Sequence, residues 1–123
     1  MSKKILIVED HPDVRRLLTL RLRHLGYEIV EANTGSSGIA LTLSEIPDLV
    51  FVDLSLPDVS GLEIARAIKH NPRTAEIPLV ALSGHTGREI ASKALEVGMA
   101  AYLMKPIDME ELVKVIEQLT QRP

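Results

Sequence analysis

The stretch that decides the fold is Leu49-Val50-Phe51-Val52-Asp53, in which four apolar residues run into a carboxylate. A strand without a polar position is typical of a parallel sheet that is buried on both faces. Asp53 then stands where this strand leaves the core. A lone aspartate in such a place most often starts a loop or caps a helix, so Asp53 alone does not indicate a function.

Four further apolar runs lie around this stretch, and each run is followed by a helical pattern. The predicted strands cover residues 4–8, 27–31, 49–52, 77–82 and 101–104, and the predicted helices cover residues 12–25, 38–46, 60–71, 86–97 and 108–119. This alternation indicates a parallel sheet with helices on both faces. Right-handed crossovers leave two common strand orders for an open sheet. We expect the order 2-1-3-4-5, because acids follow strands one and three and this order makes those strands neighbours at a crevice.

Local signals support the predicted helices. Ser60 with Glu63, and Thr86 with Glu89, have the spacing of a capping box. The apolar positions that recur at helical spacing in helix one are Val14, Leu17, Leu18, Leu22 and Leu25. The glycine-rich residues 35–38 lack the lysine of a phosphate-binding loop, and we interpret them as the start of helix two.

Composition bounds the class of protein. The chain has 123 residues, of which 46% are hydrophobic and 25% charged, a balance typical of one globular domain. A net charge of −3 provides no general attraction to nucleic acid or to an anionic membrane. Cysteine is absent, which excludes disulfides and thiolate metal sites. The sequence has no membrane-length apolar run and no signal peptide pattern. We therefore expect a cytoplasmic protein with one domain over residues 1–123 and no output domain.

A pair of acids, Glu9-Asp10, follows the first predicted strand as Asp53 follows the third. In the expected strand order the three carboxylates lie side by side. Carboxylates gathered so closely repel one another, unless their pKa values rise or a cation lies among them. Mg²⁺, or Mn²⁺ in its place, fits a group of hard oxygen ligands best.

Lys105-Pro106 follows strand five, and Ser83 ends strand four. A loop lysine is most often a solvated surface residue, and a loop serine most often bonds nearby backbone. A cis peptide bond before Pro106 would instead turn Lys105 inward. At the edge of the sheet, the ammonium and hydroxyl groups would then lie close to the carboxylates.

Together these side chains supply what phosphoryl transfer requires. A carboxylate attacks phosphorus and forms an acyl phosphate, and the transfer depends mainly on alignment and on neutralising the phosphoryl oxygens. We expect Mg²⁺, Lys105, the Ser83 hydroxyl and backbone N–H groups near Leu54 and Gly84 to neutralise those oxygens.

With these residues in place, the chain resembles the receiver domains of two-component response regulators, of the chemotaxis-regulator type. The resemblance extends over essentially the whole chain. It depends on Glu9-Asp10, on Asp53-Leu54-Ser55-Leu56-Pro57 with Gly61, on Ser83-Gly84, and on Tyr102 with Lys105-Pro106. It implies a single, doubly wound (βα)5 flavodoxin-like domain with the parallel sheet order 2-1-3-4-5.

The resemblance implies a role for each matching residue. Asp53 resembles the phosphoacceptor, and Lys105 resembles the lysine that binds the phosphoryl group. Asp10 resembles the direct metal ligand, Glu9 a ligand that acts through water, and the backbone carbonyl of Ser55 a third protein ligand. Asp53 also contributes to this metal site.

Ser83 and Tyr102 resemble the switch pair of the family. The hydroxyl moves toward the phosphoryl group and the aromatic ring turns inward, which changes the surface of helix four, strand five and helix five. Ser55 and His85 match positions that flank the route of the attacking water, where they would tune the kinetics. An exposed loop imidazole without a specific role is an equally good interpretation of His85. Glu9 and Ser83 replace a more frequent aspartate and threonine, and both keep the required group.

The implied partner is a sensor histidine kinase or a histidine phosphotransfer protein of a phosphorelay. The chain would be a monomer or a phosphorylation-dependent homodimer, without nucleic-acid or membrane binding. A set of basic residues on the outward part of helix one is either a solvated face or the docking surface for the kinase. The set comprises Arg15, Arg16, Arg21, Arg23 and His24.

Two alternatives remain. One is a receiver-like scaffold that binds partners without phosphorylation. The other is a Mg²⁺-dependent aspartyl phosphatase, which would want a second aspartate two residues after the nucleophile, where this chain has Ser55. We expect a phosphoacceptor switch and not an enzyme, since the chain would catalyse only its own phosphorylation and dephosphorylation.

Overall fold

Five parallel strands and five helices alternate in the computed structural model, which describes residues 2–84 and 88–121. The strands are β1 (Lys4–Val8), β2 (Glu28–Ala32), β3 (Leu49–Asp53), β4 (Leu79–Ser83) and β5 (Ala101–Met104). The helices are α1 (Pro12–His24), α2 (Gly35–Glu45), α3 (Gly61–His70), α4 (Arg88–Glu96) and α5 (Met109–Thr120). The sheet order is β2-β1-β3-β4-β5, which confirms the predicted α/β fold and strand order.

The central strand, β3, is buried at every position, as its apolar sequence predicts. Its side chains alternate between the two faces of the sheet. Phe51 packs with residues of α1 and α5 on one face, and Val50 and Val52 pack with residues of α3 and α4 on the other. The sheet is therefore the middle layer between two aliphatic cores, which fixes the carboxyl ends of the strands relative to one another.

Several element boundaries differ from the predictions. Strand β2 begins at Glu28, one residue later than predicted. Strand β4 begins at Leu79, because the amide of Ile77 donates to the carbonyl of Thr74 in the preceding turn, at 3.1 Å. Helix α2 begins at Gly35, three residues before the range 38–46 of the helical pattern, and this agrees with the interpretation of the glycine-rich residues 35–38 as its start.

The apolar stripe of α1 is narrower than predicted. Leu18 and Leu22 are buried, as expected, but Leu17 is 52% exposed and Leu25 is 56% exposed. Thr19 is buried in their place. Helix periodicity alone does not show how far around α1 the neighbouring elements reach, which is why the sequence overestimates the buried face.

Capping agrees with the prediction at Ser60, whose side chain accepts a hydrogen bond from the amide of Glu63 at 3.2 Å. Asp108 also caps α5, a cap that is not among the predicted ones. Thr86 lies outside the described residues. No helix in the described part of the chain combines the length and apolar character that a membrane span requires.

Candidate functional site

The register of β1 and β3 places Glu9 beside Asp53. Val8 is paired with Val52, so the residue that follows each of them leaves the sheet at the same edge. The amide of Glu9 continues the ladder toward β2 by donating to the carbonyl of Ala32 at 3.0 Å. Glu9 is fully buried and Asp53 is 2% exposed.

Asp10 joins this pair from the exposed side. One carboxylate oxygen from each of Glu9, Asp10 and Asp53 can be chosen so that all three lie within 4.8 Å of one another. Among the residues that the structure describes, Glu9 Oε1 is a buried oxygen that has no directional hydrogen bond. Three carboxylates with oxygens so close together form the donor set that a hard divalent cation such as Mg²⁺ or Mn²⁺ prefers. The residues present therefore fit the expected metal.

Lys105 reaches the same group from the end of β5. Its Nζ lies 2.7 Å from Glu9 Oε1 and 3.3 Å from Asp53 Oδ2. The first contact is an ion pair without hydrogen-bond geometry, and the second is also a hydrogen bond. The amide of Lys105 donates to the Ser83 carbonyl at 2.8 Å, which extends the β4–β5 ladder by one residue. The peptide bond between Lys105 and Pro106 is cis.

The carboxyl group of Glu9 has a perturbed pKa. Burial is the largest cause, a hydrogen bond with Asp53 adds to it, and the ammonium of Lys105 opposes both. The net effect raises the pKa of Glu9 from 4.5 to about 7. Near neutral pH, Glu9 therefore binds a proton readily when no other cation is present.

The pKa values of Asp53 and Lys105, the two partners of Glu9, shift in the directions that keep these groups charged. Burial acts to raise the pKa of Asp53, but hydrogen bonds from Glu9 and the Ser55 amide, together with Lys105, outweigh it and lower the pKa. Burial acts to lower the pKa of Lys105, but Glu9 and Asp53 outweigh it and raise the pKa. Asp53 is thus the carboxylate that stays ionised, as a nucleophile must.

The loop after β3 bends back toward Asp53. The amide of Ser55 donates to Asp53 Oδ1 at 2.9 Å. The Leu54 amide itself donates to the Leu82 carbonyl at 3.0 Å and so continues the sheet. The Ser55 amide is therefore a backbone N–H group near Leu54 that faces Asp53, and its part in neutralising a phosphoryl group stays a prediction.

The remaining predicted residues lie around this centre. Ser83 is fully buried at the end of β4 and is paired with Met104 of β5. Tyr102 is partly buried on β5, where it packs against the core that α3 and α4 cover. Ser55 is exposed. His85 lies outside the described residues.

Two residues that the sequence did not assign to the site contact it or the elements around it. Arg15 was expected on the outward face of helix one, and that expectation is wrong. Its guanidinium donates to the Glu9 carbonyl at 2.8 Å and pairs with Glu31 at 3.3 Å. Asp58 contacts the start of α2 from the β3–α3 loop. The sequence signal that could have indicated the role of Arg15 is its place in the first turn of α1, shortly after the acid pair Glu9-Asp10. The sequence contains no comparable signal for Asp58.

Comparison with known proteins supports the same interpretation. A family model described as the response regulator receiver domain matches residues 5–117. The phosphate regulon transcriptional regulatory protein PhoB of Pseudomonas aeruginosa is 34% identical over 122 residues, which are 99% of this chain and 53% of that protein. The chain spans about half the length, or less, of several curated relatives that it matches, PhoB among them.

Solved structures with the same fold cover nearly the whole chain. The chemotaxis protein CheY4 of Vibrio cholerae has a TM-score of 0.91 and 25% identity, and the match covers 97% of this chain and 99% of that chain. The receiver domain of the sensor histidine kinase PA1611 of Pseudomonas aeruginosa has a TM-score of 0.90 and 26% identity, with 98% of each chain covered. In that structure a magnesium ion is coordinated in the active-site cleft.

Proposed function

The chain belongs to the response regulator receiver domain family, and we propose that it accepts a phosphoryl group on Asp53. The donor is the phosphohistidine of a sensor histidine kinase or a histidine phosphotransfer protein. The observation that carries the proposal is the position of Lys105 Nζ, 2.7 Å from Glu9 Oε1 and 3.3 Å from Asp53 Oδ2. An ammonium group held between an ionised nucleophile and a second acid is suited to receive a phosphoryl oxygen.

In the proposed reaction, a carboxylate oxygen of Asp53 attacks phosphorus and the phosphorus–nitrogen bond of the phosphohistidine breaks. The bonding electron pair returns to the imidazole nitrogen, and Asp53 becomes an acyl phosphate. Lys105 holds one phosphoryl oxygen, and the hydroxyl of Ser83 donates to another. Burial of Asp53 keeps water away from the reacting carboxylate until the donor arrives.

The same acids would hold a divalent cation. Asp10 and Asp53 would bind Mg²⁺, or Mn²⁺, directly, Glu9 would act through water, and the Ser55 carbonyl would complete the protein ligands. When bound, the cation neutralises charge on the transferring oxygens. The three carboxylates within 4.8 Å support this assignment, as does the magnesium ion in the cleft of the related receiver domain.

The output of the phosphorylated state is a changed surface. We propose that Ser83 moves toward the phosphoryl group, that Tyr102 turns inward, and that the face of α4, β5 and α5 then selects a different protein partner or a second copy of the chain. The position of Ser83 at the end of β4, buried and paired with β5, supports this coupling.

Helix α1 is the proposed docking surface for the kinase. Leu17 and Leu20 are 52% and 59% exposed, and their spacing of three residues places these two large apolar side chains next to each other on the helix surface. Beside Leu17, a groove of about 250 Å³ opens between α1 and the loop after β5, with Arg21 and Lys105 in its lining. A donor that docks there lies next to the lysine of the site.

These proposals bound the role of the segment. It is a phosphoacceptor switch and not an enzyme acting on other substrates, it contacts proteins rather than nucleic acid or membrane, and it works in the cytoplasm. Two of the longer relatives extend well beyond the part that matches this chain, and we assign no output of theirs to this segment. A phosphorylation-independent scaffold is the alternative that the experiment below tests.

The test is the intact mass of the protein after incubation with Mg²⁺ and acetyl phosphate. We expect one phosphoryl adduct on the wild type, none on Asp53→Asn, and none after chelation of the metal. The matched control is Asp48→Asn, which removes a carboxylate at the opposite edge of the sheet, where Asp48 accepts from the Lys4 amide. An adduct on Asp53→Asn would refute the assignment of the acceptor. If the wild type forms neither an adduct nor a beryllofluoride complex, the scaffold alternative replaces the proposal.

A further inference from the structure

A carboxylate outside the acidic cluster links two elements around the site. Asp58 lies in the loop between β3 and α3, and its side chain accepts hydrogen bonds from the amides of Gly35 and Ser36 at 2.8 and 3.1 Å. It also accepts from the Ser36 hydroxyl at 3.1 Å. Gly35 is the first residue of α2. The link therefore joins α2 to the loop that follows the proposed acceptor, across 23 positions of sequence.

Helix α2 already has a local cap. The Thr34 hydroxyl accepts from the amide of Ser37 at 3.1 Å, and the Ser37 hydroxyl accepts from the amide of Thr34 at 3.3 Å. A helix N-terminus leaves its first amides without partners inside the helix. Thr34 accepts from the amide of Ser37, and Asp58 accepts from the amides of Gly35 and Ser36. These amides hold the pKa of Asp58 below its usual range. Because Asp58 is exposed and water could serve the same amides, capping alone does not require a carboxylate from a distant loop.

The start of α2 and the β3–α3 loop also pack closely against each other. A Cβ atom on Gly35 would lie 2.8 Å from Val59 Cβ, closer than real contacts allow, and a tight 3.1 Å from Ile64 Cδ1. The loop is also fixed at its far end, where a Cβ on Gly61 would lie 2.7 Å from Leu54 Cα. Close packing at Gly35 and at Gly61 thus restricts the loop between β3 and α3 at two places. The hydrogen bonds of Asp58 add a polar restraint.

We propose that Asp58 is a positioning residue for the metal site: its bonds to the first turn of α2 hold the β3–α3 loop in the conformation in which Ser55 serves the cation and Asp53. This inference rests on the proposed function, which assigns the Ser55 carbonyl to the metal. Ser55 stands in the same loop, and its amide already donates to Asp53 Oδ1 at 2.9 Å. Small displacements of such a loop matter, because ligand positions must match the narrow geometry that Mg²⁺ demands.

The test is the dissociation constant for Mg²⁺, measured from amide chemical shifts by NMR titration of the unphosphorylated protein. We expect Asp58→Ala to raise the constant by about threefold or more, and by less than the roughly 10- to 100-fold cost of losing a partner bonded directly to a metal ligand, because Asp58 bonds to α2 and not to a ligand. Asp58→Asn keeps one oxygen acceptor for the Gly35 amide, so its constant should lie nearer to that of the wild type. Gly35→Ala disturbs the contact between α2 and the β3–α3 loop from the side of the helix, by displacing Val59. It should also raise the dissociation constant for Mg²⁺.

Asp48→Asn is the matched control, because Asp48 likewise accepts from the backbone of another element, the Lys4 amide at 2.7 Å, at the far edge of the sheet. Its Mg²⁺ constant should equal that of the wild type. If Asp58→Ala and Gly35→Ala are folded and bind Mg²⁺ as the wild type does, Asp58 only caps α2 and the inference is wrong. A wild type that binds Mg²⁺ but forms no aspartyl phosphate overturns the proposed function alone, and a wild type that binds no Mg²⁺ overturns both.

Discussion

Glu9 and Asp53 are both buried, but their pKa values shift in opposite directions, and that of Glu9 is the one that rises. Burial and the neighbouring Asp53 raise the pKa of Glu9 to about 7, against 4.5 in its ordinary state. The folded protein therefore holds a proton that the unfolded chain has already released between these two pH values. Its free energy of unfolding must fall as the pH rises across that window. The lowered pKa of Asp53 acts in the opposite direction, but only at more acid pH.

The residue-scale prediction concerns Glu9→Gln in the absence of metal. Glutamine replaces the neutral form of Glu9, so it removes the cost of ionising a buried carboxyl next to Asp53. We expect the variant to be more stable than the wild type by about 1–3 kcal/mol at pH 8 and nearly equal to it at pH 5. Urea unfolding in the presence of a chelator measures both values.

Glu117→Gln on the exposed side of α5 is the control for this substitution. In this control, the difference in the free energy of unfolding between pH 5 and pH 8 should equal that of the wild type. If Glu9→Gln destabilises the protein at pH 8, the attraction between Glu9 and Lys105 outweighs burial, and the direction of the pKa shift is wrong.

At the scale of elements, α2 is closely packed on the sheet. A Cβ atom on Gly38 would lie 2.8 Å from both γ-carbons of Val8, at the end of β1. The hydroxyl of Thr42 donates to the Gly38 carbonyl at 2.7 Å, which fixes this turn of the helix further. Two effects of an added methyl group thus compete, namely the helix propensity of alanine and a steric conflict with the strand that leads to Glu9.

For Gly38→Ala we predict that the steric conflict with Val8 outweighs the gain in helix propensity. Helix propensity alone would make Gly38→Ala more stable by up to about 1 kcal/mol, whereas overpacking costs about 1–3 kcal/mol. We expect net destabilisation in a urea unfolding experiment. Ser44→Ala, on the exposed side of the same helix, should show the propensity effect alone, with a gain of a few tenths of a kcal/mol, roughly. A stabilised Gly38→Ala would show that α2 can move away from β1 at little cost.

The elements also show where sequence reasoning succeeds. The strand order and the convergence of Glu9, Asp53 and Lys105 could be predicted, because apolar runs mark the strands and parallel strands end at one edge. The tether from Asp58 to α2 could not, since it depends on the path of a loop and not on any periodic pattern. The inward turn of Arg15 was missed for a related reason: helical periodicity does not show where α1 begins relative to Glu9.

At the scale of the whole molecule, the site is a property of the sheet. Glu9, Asp53, Ser83 and Lys105 follow or end four different strands, and the ladders between those strands fix their spacing. Both faces of the sheet are covered by aliphatic cores, so the strand ends have little freedom to separate. The site is therefore arranged by the global fold, and any ligand that binds the acids must in turn stabilise that fold.

The prediction at this scale is a pH-dependent stabilisation by Mg²⁺. At tenfold the dissociation constant, a ligand that binds only the folded state adds about 1.4 kcal/mol to the free energy of unfolding. The gain should be larger at pH 8 than at pH 5.5, because the cation must displace the proton that Glu9 holds with its pKa of about 7. Thermal unfolding with Mg²⁺, against NaCl at matched ionic strength, measures it. An equal gain at both pH values, or an undiminished gain in Asp53→Asn, would place the cation elsewhere on the molecule and separate the acidic cluster from metal binding.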